Sequence, residues 1–310
     1  MAIMRITAIL VSLLINSCMS YTLYSPLSLQ SSGDYRVRIG LNFTAKNGSS
    51  VQTKTTTEKS DSDICGITSP SSRIINGTEV DPHQYPWTAA ILKTGIHGVF
   101  CGASIISRQF ILTAAHCIDF EFSKDCAKIR LGAHLINYVK DPEQNSRDFE
   151  IDDWKIHEGY NDKFENDIAL IKLKTPIDYG NAIRPICLPK KRVQIKPNKP
   201  ITVVGWGTTE EGDNSKVLLG VELKTCSFKK CQDAYPEEKI EKSMFCAFKP
   251  GKDTCNGDSG GPAMMRAKNK QWNIVGVTSW GYGCATSYPG VYTRVSYFID
   301  WIEKNMKNMN

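Results

Sequence analysis

An all-β fold, either a sandwich or a barrel, with one helix at its C-terminal end is the architecture that the sequence predicts. From residue 74 onward, short apolar runs alternate with Gly, Pro and Asp turns, and many residues in the runs are β-branched. Runs of this length and composition are typical of buried strands rather than helices. The predicted strands are 87–92, 110–114, 129–131, 168–173, 201–204 and 272–277. An i, i+3, i+4, i+7 apolar pattern predicts the amphipathic helix; it consists of Val295, Phe298, Ile299 and Ile302.

The composition favours a folded protein that leaves the cell. The 310 residues are 41% hydrophobic and 23% charged, which is enough for a full-sized core. The net charge of +6 comes from basic residues that are scattered along the sequence. They form no basic cluster of the kind that binds nucleic acid. Eleven cysteines indicate extracellular disulfides, although an odd number cannot all pair within one chain. No run reaches the roughly 18 to 20 apolar residues of a membrane span.

The first 20 residues have the pattern of a secretory leader. Arg5 precedes the apolar run 6–15, and small and polar residues follow it. We therefore predict a signal peptide at 1–20 and a secreted, extracellular mature protein. Cys18 leaves with this segment, so an even number of the 11 cysteines remains.

Residues 21–73 differ in composition from the rest of the chain. They are rich in Ser, Thr and Lys, have few large apolar residues and contain a single cysteine, Cys65. Such a segment cannot bury enough surface to offset its chain entropy, so we predict a flexible pro-region with at most a weak strand near 35–43. The strand pattern that begins at residue 74 predicts a folded domain over 74–310.

Three short segments contain the residue types of nucleophilic catalysis. LTAAHC contains His116, NDIAL contains Asp167 and DTCNGDSGGP contains Ser259. Alone, such a histidine is more often structural, and such an aspartate is more often a turn residue. A serine hydroxyl becomes a good nucleophile only when an imidazole takes its proton, and a carboxylate must orient that imidazole. Together the segments favour catalysis over a simple glycine-rich turn.

The glycines around Ser259 fit the same chemistry. Attack on a carbonyl produces an oxyanion, which requires preplaced hydrogen-bond donors. Backbone amides can supply these donors where the chain turns tightly without side-chain obstruction. Gly257, Gly260 and Gly261 allow such a turn.

With these motifs in the order His, Asp, Ser, the chain from residue 74 to about residue 306 resembles the chymotrypsin-like (trypsin-like) serine endopeptidases. The resemblance implies two packed six-stranded antiparallel β-barrels with the active site between them. It implies that His116 is the general base and acid, that Asp167 orients it and that Ser259 is the nucleophile. The amides of Gly257 and Ser259 would form the oxyanion hole. Neither a cofactor nor a metal is expected.

The resemblance also implies a substrate preference. Asp253 lies six residues before the nucleophile, at the position that forms the base of the family's primary specificity pocket. A carboxylate there favours Arg or Lys before the cut bond through a charge-assisted contact, whereas the alternative is a surface turn residue. The implied pocket walls are Ser279, Trp280, Gly281 and Gly290.

The sequence RIING at 73–77 resembles the zymogen cleavage junction of the family. Cleavage between Arg73 and Ile74 would free the Ile74 amine to pair with Asp258, the residue before the nucleophile. An unpaired buried carboxylate is costly, so this ion pair can stabilise the donors around Gly257.

Family register implies four disulfides. They are Cys65–Cys187, Cys101–Cys117, Cys231–Cys246 and Cys255–Cys284. The first would keep the pro-region attached after activation, which would give two disulfide-linked chains. Cys126 and Cys226 remain, and by number they would pair with each other. Register places them on different barrels, so free or intermolecular thiols are the alternatives.

Two further features concern metals and glycans. Ala133 stands where calcium-binding relatives carry a glutamate, so the family's calcium site would lack one hard oxygen ligand. Sequons for N-glycosylation begin at Asn42, Asn47 and Asn76.

The leading interpretation is a secreted trypsin-like endopeptidase, made as a zymogen, that cuts after Arg or Lys through an acyl-enzyme. Its long extension resembles invertebrate regulatory or venom-type members. Expected partners are protein or peptide substrates, an activating trypsin-like protease and macromolecular inhibitors, and the protein should be a monomer. The alternative is a catalytically silent homologue that serves as a binding module, but such proteins normally lack a triad residue. A secreted carrier or adhesive protein would not explain the junction at Arg73.

Overall fold

The described chain is built around two antiparallel sheets of seven strands each. The structure is a computed structural model that describes residues 61–68, 78–96, 98–119, 122–136, 143–209, 212–251, 257–283 and 286–310. All of these belong to the unit Lys59–Asn310. The predicted signal peptide and most of the predicted pro-region lie outside the described residues.

The first sheet curls into a barrel-like shape. Its strands are β2 (Thr88–Lys93), β3 (Cys101–Ile105), β4 (Phe110–Thr113), β5 (Ala127–Leu131), β6 (Arg147–Phe149), β7 (Ile151–Ile156) and β8 (Ala169–Leu173). They pair in the order β6-β5-β2-β3-β4-β8-β7. The two edge strands are separated only by Glu150, so one bent stretch of chain supplies both edges.

The second sheet closes on itself. Its strands are β1 (Thr78–Glu79), β9 (Pro200–Gly205), β10 (Leu219–Thr225), β11 (Met244–Phe248), β12 (Pro262–Arg266), β13 (Trp272–Trp280) and β14 (Gly290–Arg294). They follow the order β1-β10-β11-β14-β13-β12-β9, and a further pairing of β10 with β9 completes a six-stranded barrel with β1 outside it.

The apolar runs of the sequence correspond to strands with buried side chains. β3 and β4 are buried along their whole length, and each of the six predicted runs overlaps an observed strand. The predicted fold class is therefore confirmed, with one closed barrel and one curled sheet.

Three α-helices complete the elements of the described residues. They are α1 (Asp61–Ile64), α2 (Phe228–Ala234) and α3 (Ile299–Met309), and short 3-10 helices span Ala115–Ile118, Lys124–Cys126 and Val295–Tyr297. The predicted C-terminal helix is confirmed: Ile299 and Ile302 are buried, and Lys172 of β8 donates to the Met309 carbonyl at 2.5 Å. Among the helices of the described residues, none is long and apolar enough to cross a membrane.

The two sheets meet along a seam that carries direct hydrogen bonds. The indole of Trp87, just before β2, donates to the sulfur of Met264 in β12 at 2.8 Å. The amide of Gly102 in β3 donates to the carbonyl of Ser259 at 2.7 Å. Segments from both sheets are therefore held next to each other where the motifs with His116 and Ser259 lie.

Three of the implied disulfides are formed within the described residues. Cys65–Cys187, Cys101–Cys117 and Cys231–Cys246 have Cα–Cα distances of 4.9, 6.1 and 5.7 Å, inside the range for a disulfide. Cys255 and Cys284 lie outside the described residues.

The tentative pairing of Cys126 with Cys226 is wrong. Cys226 is a free thiol, whereas Cys126 is disulfide-bonded and so has another partner. The fold separates the two residues: Cys126 precedes β5 of the first sheet, and Cys226 follows β10 of the second. The Cys226 amide instead donates to the carbonyl of Cys246 at 2.8 Å.

Candidate active site

Strand pairing brings His116 and Asp167 together. His116 follows the end of β4 and Asp167 precedes the start of β8, and these strands pair antiparallel with Thr113 opposite Ala169. The imidazole Nδ1 lies 2.8 Å from Asp167 Oδ2, and the His116 amide donates to Oδ1 at 3.0 Å. One carboxylate oxygen thus holds the imidazole and the other holds the His116 backbone. A general base needs such a carboxylate to keep its ring in the correct orientation.

Asp167 is completely buried and is also held by the second sheet. Ser279 at the end of β13 donates its hydroxyl to Asp167 Oδ2 at 2.5 Å. Thr293 of β14 donates to the Asp167 carbonyl at 2.7 Å. A buried carboxylate is stable only when hydrogen bonds or charges compensate for lost water, and these contacts supply that compensation.

Asp167 also determines the acid–base character of the imidazole. Burial alone would lower the pKa of His116 because it disfavours the charged ring. The charge of Asp167 and its hydrogen bond, together with the charge of Asp119, outweigh burial and raise the pKa above its ordinary value. The site therefore stabilises the imidazolium that forms when His116 accepts a proton.

Phe164 contacts the imidazole from the side. Its ring meets the His116 ring edge-on, with a centroid distance of 5.5 Å. Its φ of 56° lies in the left-handed region, which is unfavourable for a residue with a large side chain. The loop therefore holds a strained backbone conformation where this ring contacts His116. The sequence motifs did not identify Phe164.

The turn around Ser259 depends on glycine at two positions. Gly257 and Gly260 have φ values of 94° and 80°. A Cβ at Gly260 would lie 2.2 Å from the Thr113 hydroxyl and 2.4 Å from the Gly102 carbonyl. This close approach places the turn that carries Ser259, the predicted nucleophile, next to the segment that carries His116. Within the described residues, the Gly257 and Ser259 amides donate no hydrogen bond, and their role as oxyanion donors stays a prediction.

Asp258 lies against the backbone that follows β9. The Gly207 amide donates to its Oδ1 at 2.8 Å, and a Cβ at Gly205 would lie 2.1 Å from the same oxygen. The carboxylate therefore occupies a cradle that only glycine can form. Arg73 and Ile74, the predicted junction, lie outside the described residues.

The predicted pocket walls lie close together. A Cβ at Gly281 would be 3.8 Å from the Cα of Gly290, so side chains at these positions would narrow the space between them. Trp280 packs against Tyr235 with a centroid distance of 4.8 Å. Asp253, the predicted base, lies outside the described residues, and so do Asn42, Asn47 and Asn76.

One cluster of metal-ligating residue types occurs among the described residues. It consists of Cys101, His116 and Cys117. The two sulfurs are bonded to each other, and the imidazole Nδ1 contacts Asp167. The cluster therefore offers no thiolate to a metal.

The two sheets, with a histidine–aspartate pair and a glycine-bounded serine at their seam, define a serine protease fold. A sequence model of the trypsin family matches residues 74–302. The proclotting enzyme of Tachypleus tridentatus is 35% identical over 261 residues, which cover 79% of this chain and 69% of that protein. The phenoloxidase-activating enzyme 1 of Spodoptera litura is 34% identical over 265 residues, covering 79% and 70%. A trypsin of Phaedon cochleariae is 36% identical over 244 residues, covering 76% and 90%. The chain belongs to the trypsin family and is a trypsin-like serine protease.

Proposed function

We propose that this chain is a secreted zymogen whose active form cleaves peptide bonds after Arg or Lys. The observation that carries the proposal is the buried Asp167, which holds the His116 imidazole at 2.8 Å beside the turn that bears Ser259. Secretion is supported by the leader-like segment 1–20 and by the disulfides.

Catalysis follows from the roles of three side chains. His116 removes the proton from the Ser259 hydroxyl as the oxygen attacks the substrate carbonyl, and the Gly257 and Ser259 amides receive the resulting oxyanion. The imidazolium then gives its proton to the amine, which departs. The remaining acyl group stays bonded to Ser259 as the acyl-enzyme. Water repeats the sequence with His116 again as base, releasing the acid and restoring Ser259.

The preference for Arg or Lys is assigned to Asp253. Its carboxylate would pair with the cationic side chain between walls formed by Ser279, Trp280, Gly281 and Gly290. The small residues at Gly281 and Gly290 support this role because they leave room for a long side chain.

Activation is assigned to cleavage between Arg73 and Ile74. The new Ile74 amine would bind Asp258, whose cradle at Gly205 and Gly207 lies beside the nucleophile turn. The names of the relatives describe enzymes that act in clotting and in phenoloxidase activation. We therefore infer protein substrates, an activating trypsin-like protease and macromolecular inhibitors as partners of this chain, which acts as a monomer.

The proposal is tested with purified full-length protein after limited cleavage by a trypsin-like protease. A serine-directed organophosphonate should label Ser259 only after cleavage, as detected by mass spectrometry, and Arg73→Gln should block labelling. A peptide library should show cuts after Arg and Lys, and Asp253→Ser should reduce that activity about 10²-fold or more.

Two outcomes would reject parts of this assignment. Absence of an adduct on correctly cleaved protein would favour a binding module without catalytic activity. Cuts after Phe or Tyr instead of Arg would reject the role of Asp253 while leaving the triad in place.

A further inference from the structure

A groove of about 640 Å³ lies on the second sheet, apart from the candidate active site. It is bounded by the chain that leads into β9, the start of α2 and the adjoining ends of β11 and β14. Among the described residues that line it, none belongs to the catalytic triad. We call this feature the β11–β14 groove.

The charged side chains that line the β11–β14 groove among the described residues are all basic. Arg192, Lys242 and Arg294 line it, and no carboxylate does so among the described residues. Arg294 Nη1 donates to the Gln194 side chain at 3.3 Å and Nη2 donates to the Met244 carbonyl at 2.9 Å, so both partners are neutral. Its Nε is buried and has no hydrogen-bond partner among the described residues. The fold thus concentrates cations that appear scattered in the sequence.

Apolar side chains lie beside these cations. Phe228 and Tyr297 line the groove and are 53% and 52% exposed, and Val193 is 46% exposed. Large apolar side chains in one concave surface are unusual on a free protein and are typical of contact sites. The groove therefore offers both anion-binding and apolar contacts.

The combination of cations and apolar side chains favours one class of anionic ligand over another. A sulfated polysaccharide would use the cations but would leave the apolar walls in water. A peptide with alternating acidic and apolar residues would use both kinds of contact. We propose that the β11–β14 groove binds an acidic, apolar peptide segment of a protein partner, with carboxylates at Arg192, Lys242 and Arg294 and apolar side chains against Phe228 and Tyr297.

Helix α2 connects this groove to the candidate specificity pocket. Ser227, which lines the groove, caps α2 by accepting from the Lys230 amide. At the other end of the helix, Tyr235 donates to the Pro289 carbonyl at 2.5 Å and packs against Trp280. A substrate docked in the groove would be held on the same barrel as the pocket, which raises its effective concentration there. This consequence rests on the proposed function, whereas binding itself does not.

Binding is measured on the full-length, uncleaved protein. The probe is a fluorescein-labelled synthetic peptide in which Asp and Glu alternate with Phe and Leu, and which contains no Arg or Lys. Fluorescence anisotropy should show saturable binding that weakens as salt is added. Arg192→Glu combined with Lys242→Glu should weaken binding about tenfold or more. Lys268→Glu combined with Lys304→Glu, a matched charge reversal of exposed residues outside the groove, should leave binding unchanged.

The free thiol reports the location of the peptide. Cys226 lines the groove, so bound peptide should slow its alkylation by iodoacetamide, as followed by mass spectrometry. Equal weakening in both charge-reversal pairs, or unchanged Cys226 alkylation at saturation, would overturn the proposal. Binding of dextran sulfate without binding of the peptide would overturn it in favour of a polysaccharide site.

A separate measurement distinguishes this proposal from the proposed function. The cleaved groove variant should hydrolyse a small chromogenic Arg substrate at the wild-type rate, because the groove lies outside the catalytic residues. If wild-type protein binds the peptide but hydrolyses nothing after cleavage, the proposed function fails and the groove assignment stands.

Discussion

Asp167 is the residue of the candidate site that receives contacts from both sheets. His116 contacts it from the first sheet, and Ser279 and Thr293 contact it from the second. Ser279 was predicted as a pocket wall, and the structure gives it a further contact with the buried carboxylate. We therefore treat Ser279 as a positioning residue that acts through Asp167.

Replacing Ser279 by alanine should lower kcat/KM about tenfold, because a hydrogen bond to a charged group contributes roughly 1.5–3 kcal/mol. Without this donor the negative charge of the Asp167 carboxylate acts more strongly on the imidazolium, so the pKa of His116 should rise further. The measurement is kcat/KM against pH on an Arg substrate. Thr293→Val is the matched control, since Thr293 contacts the Asp167 carbonyl and should not move the pH profile.

The raised pKa of His116 predicts the direction of pH dependence. His116 must be neutral to accept a proton, so kcat/KM should rise with pH through a midpoint above the ordinary value of 6.5. Asp167→Asn should lower that midpoint and reduce kcat about 10⁴-fold.

The raised pKa of His116 also affects stability. Activity should increase as pH rises, whereas this contribution to stability should decrease. A raised pKa in the folded state stabilises the protein below the unfolded pKa, and this contribution disappears as pH rises through the folded pKa. Thermal unfolding of Asp167→Asn relative to wild type should therefore show a larger deficit on the acidic side. A deficit that grows toward alkaline pH would contradict the assigned shift.

Local motifs made part of the site predictable. His116, Asp167 and Ser259 each lie in a segment of five to ten residues whose composition indicates a role. The bond from Ser279 to Asp167 joins positions 112 residues apart, and no local pattern records such a contact. The same limit applies to Phe164, whose role depends on a strained loop conformation rather than on residue type.

At the scale of elements, apolar runs predicted six strands and missed others, among them the fully buried β3 and the partly exposed β7 and β10. β4 and β8 are nearly all buried, and most of their residues are apolar. β7 has the sequence IDDWKI with two exposed aspartates, and β10 has two exposed positions among buried ones. Their stability comes from pairing with neighbouring strands, which the sequence does not display.

The described ends of the loop between β5 and β6 lie beside Ala133, the position at which the family's calcium site would lack a ligand. Glu143 Oε2 accepts hydrogen bonds from the amides of His134 and Leu135, at 2.8 and 2.9 Å. An internal carboxylate thus ties the described ends of the loop together, a role that does not require a cation.

Chelation should therefore have little effect on this protein. Calcium added to EDTA-treated protein should change Tm by less than about 1 °C, because an ion that does not bind the folded state cannot stabilise it. Glu143→Gln should lower Tm in the presence and in the absence of calcium. A calcium-dependent rise of several degrees in wild type would show that the loop binds the ion after all.

At the scale of the whole molecule, residues 61–68 are attached firmly to the rest of the chain. Cys65 is bonded to Cys187, and the Gly66 amide donates to the Pro185 carbonyl at 2.8 Å. The Trp272 amide donates to the Gly66 carbonyl at 2.9 Å. A Cβ at Gly66 would lie 2.3 Å from the Trp272 carbonyl, so this close contact requires glycine.

This attachment predicts the behaviour of the protein after cleavage at Arg73. On a non-reducing gel the cleaved wild type should migrate as one species, and it should separate into two chains on reduction. Cys65→Ser combined with Cys187→Ser should separate without reductant. Cys226→Ser is the control, because this free thiol makes no bridge and should leave the wild-type pattern intact.

The seam between the sheets also makes the site depend on both sheets at once. Asp167 precedes β8 of the first sheet, whereas Ser279 and Thr293, which hold its side chain and its carbonyl, belong to β13 and β14 of the second. Separating the sheets would remove both of these hydrogen bonds from Asp167. The fixed orientation of His116 is therefore a property of the assembled pair of sheets, and neither sheet supplies it alone.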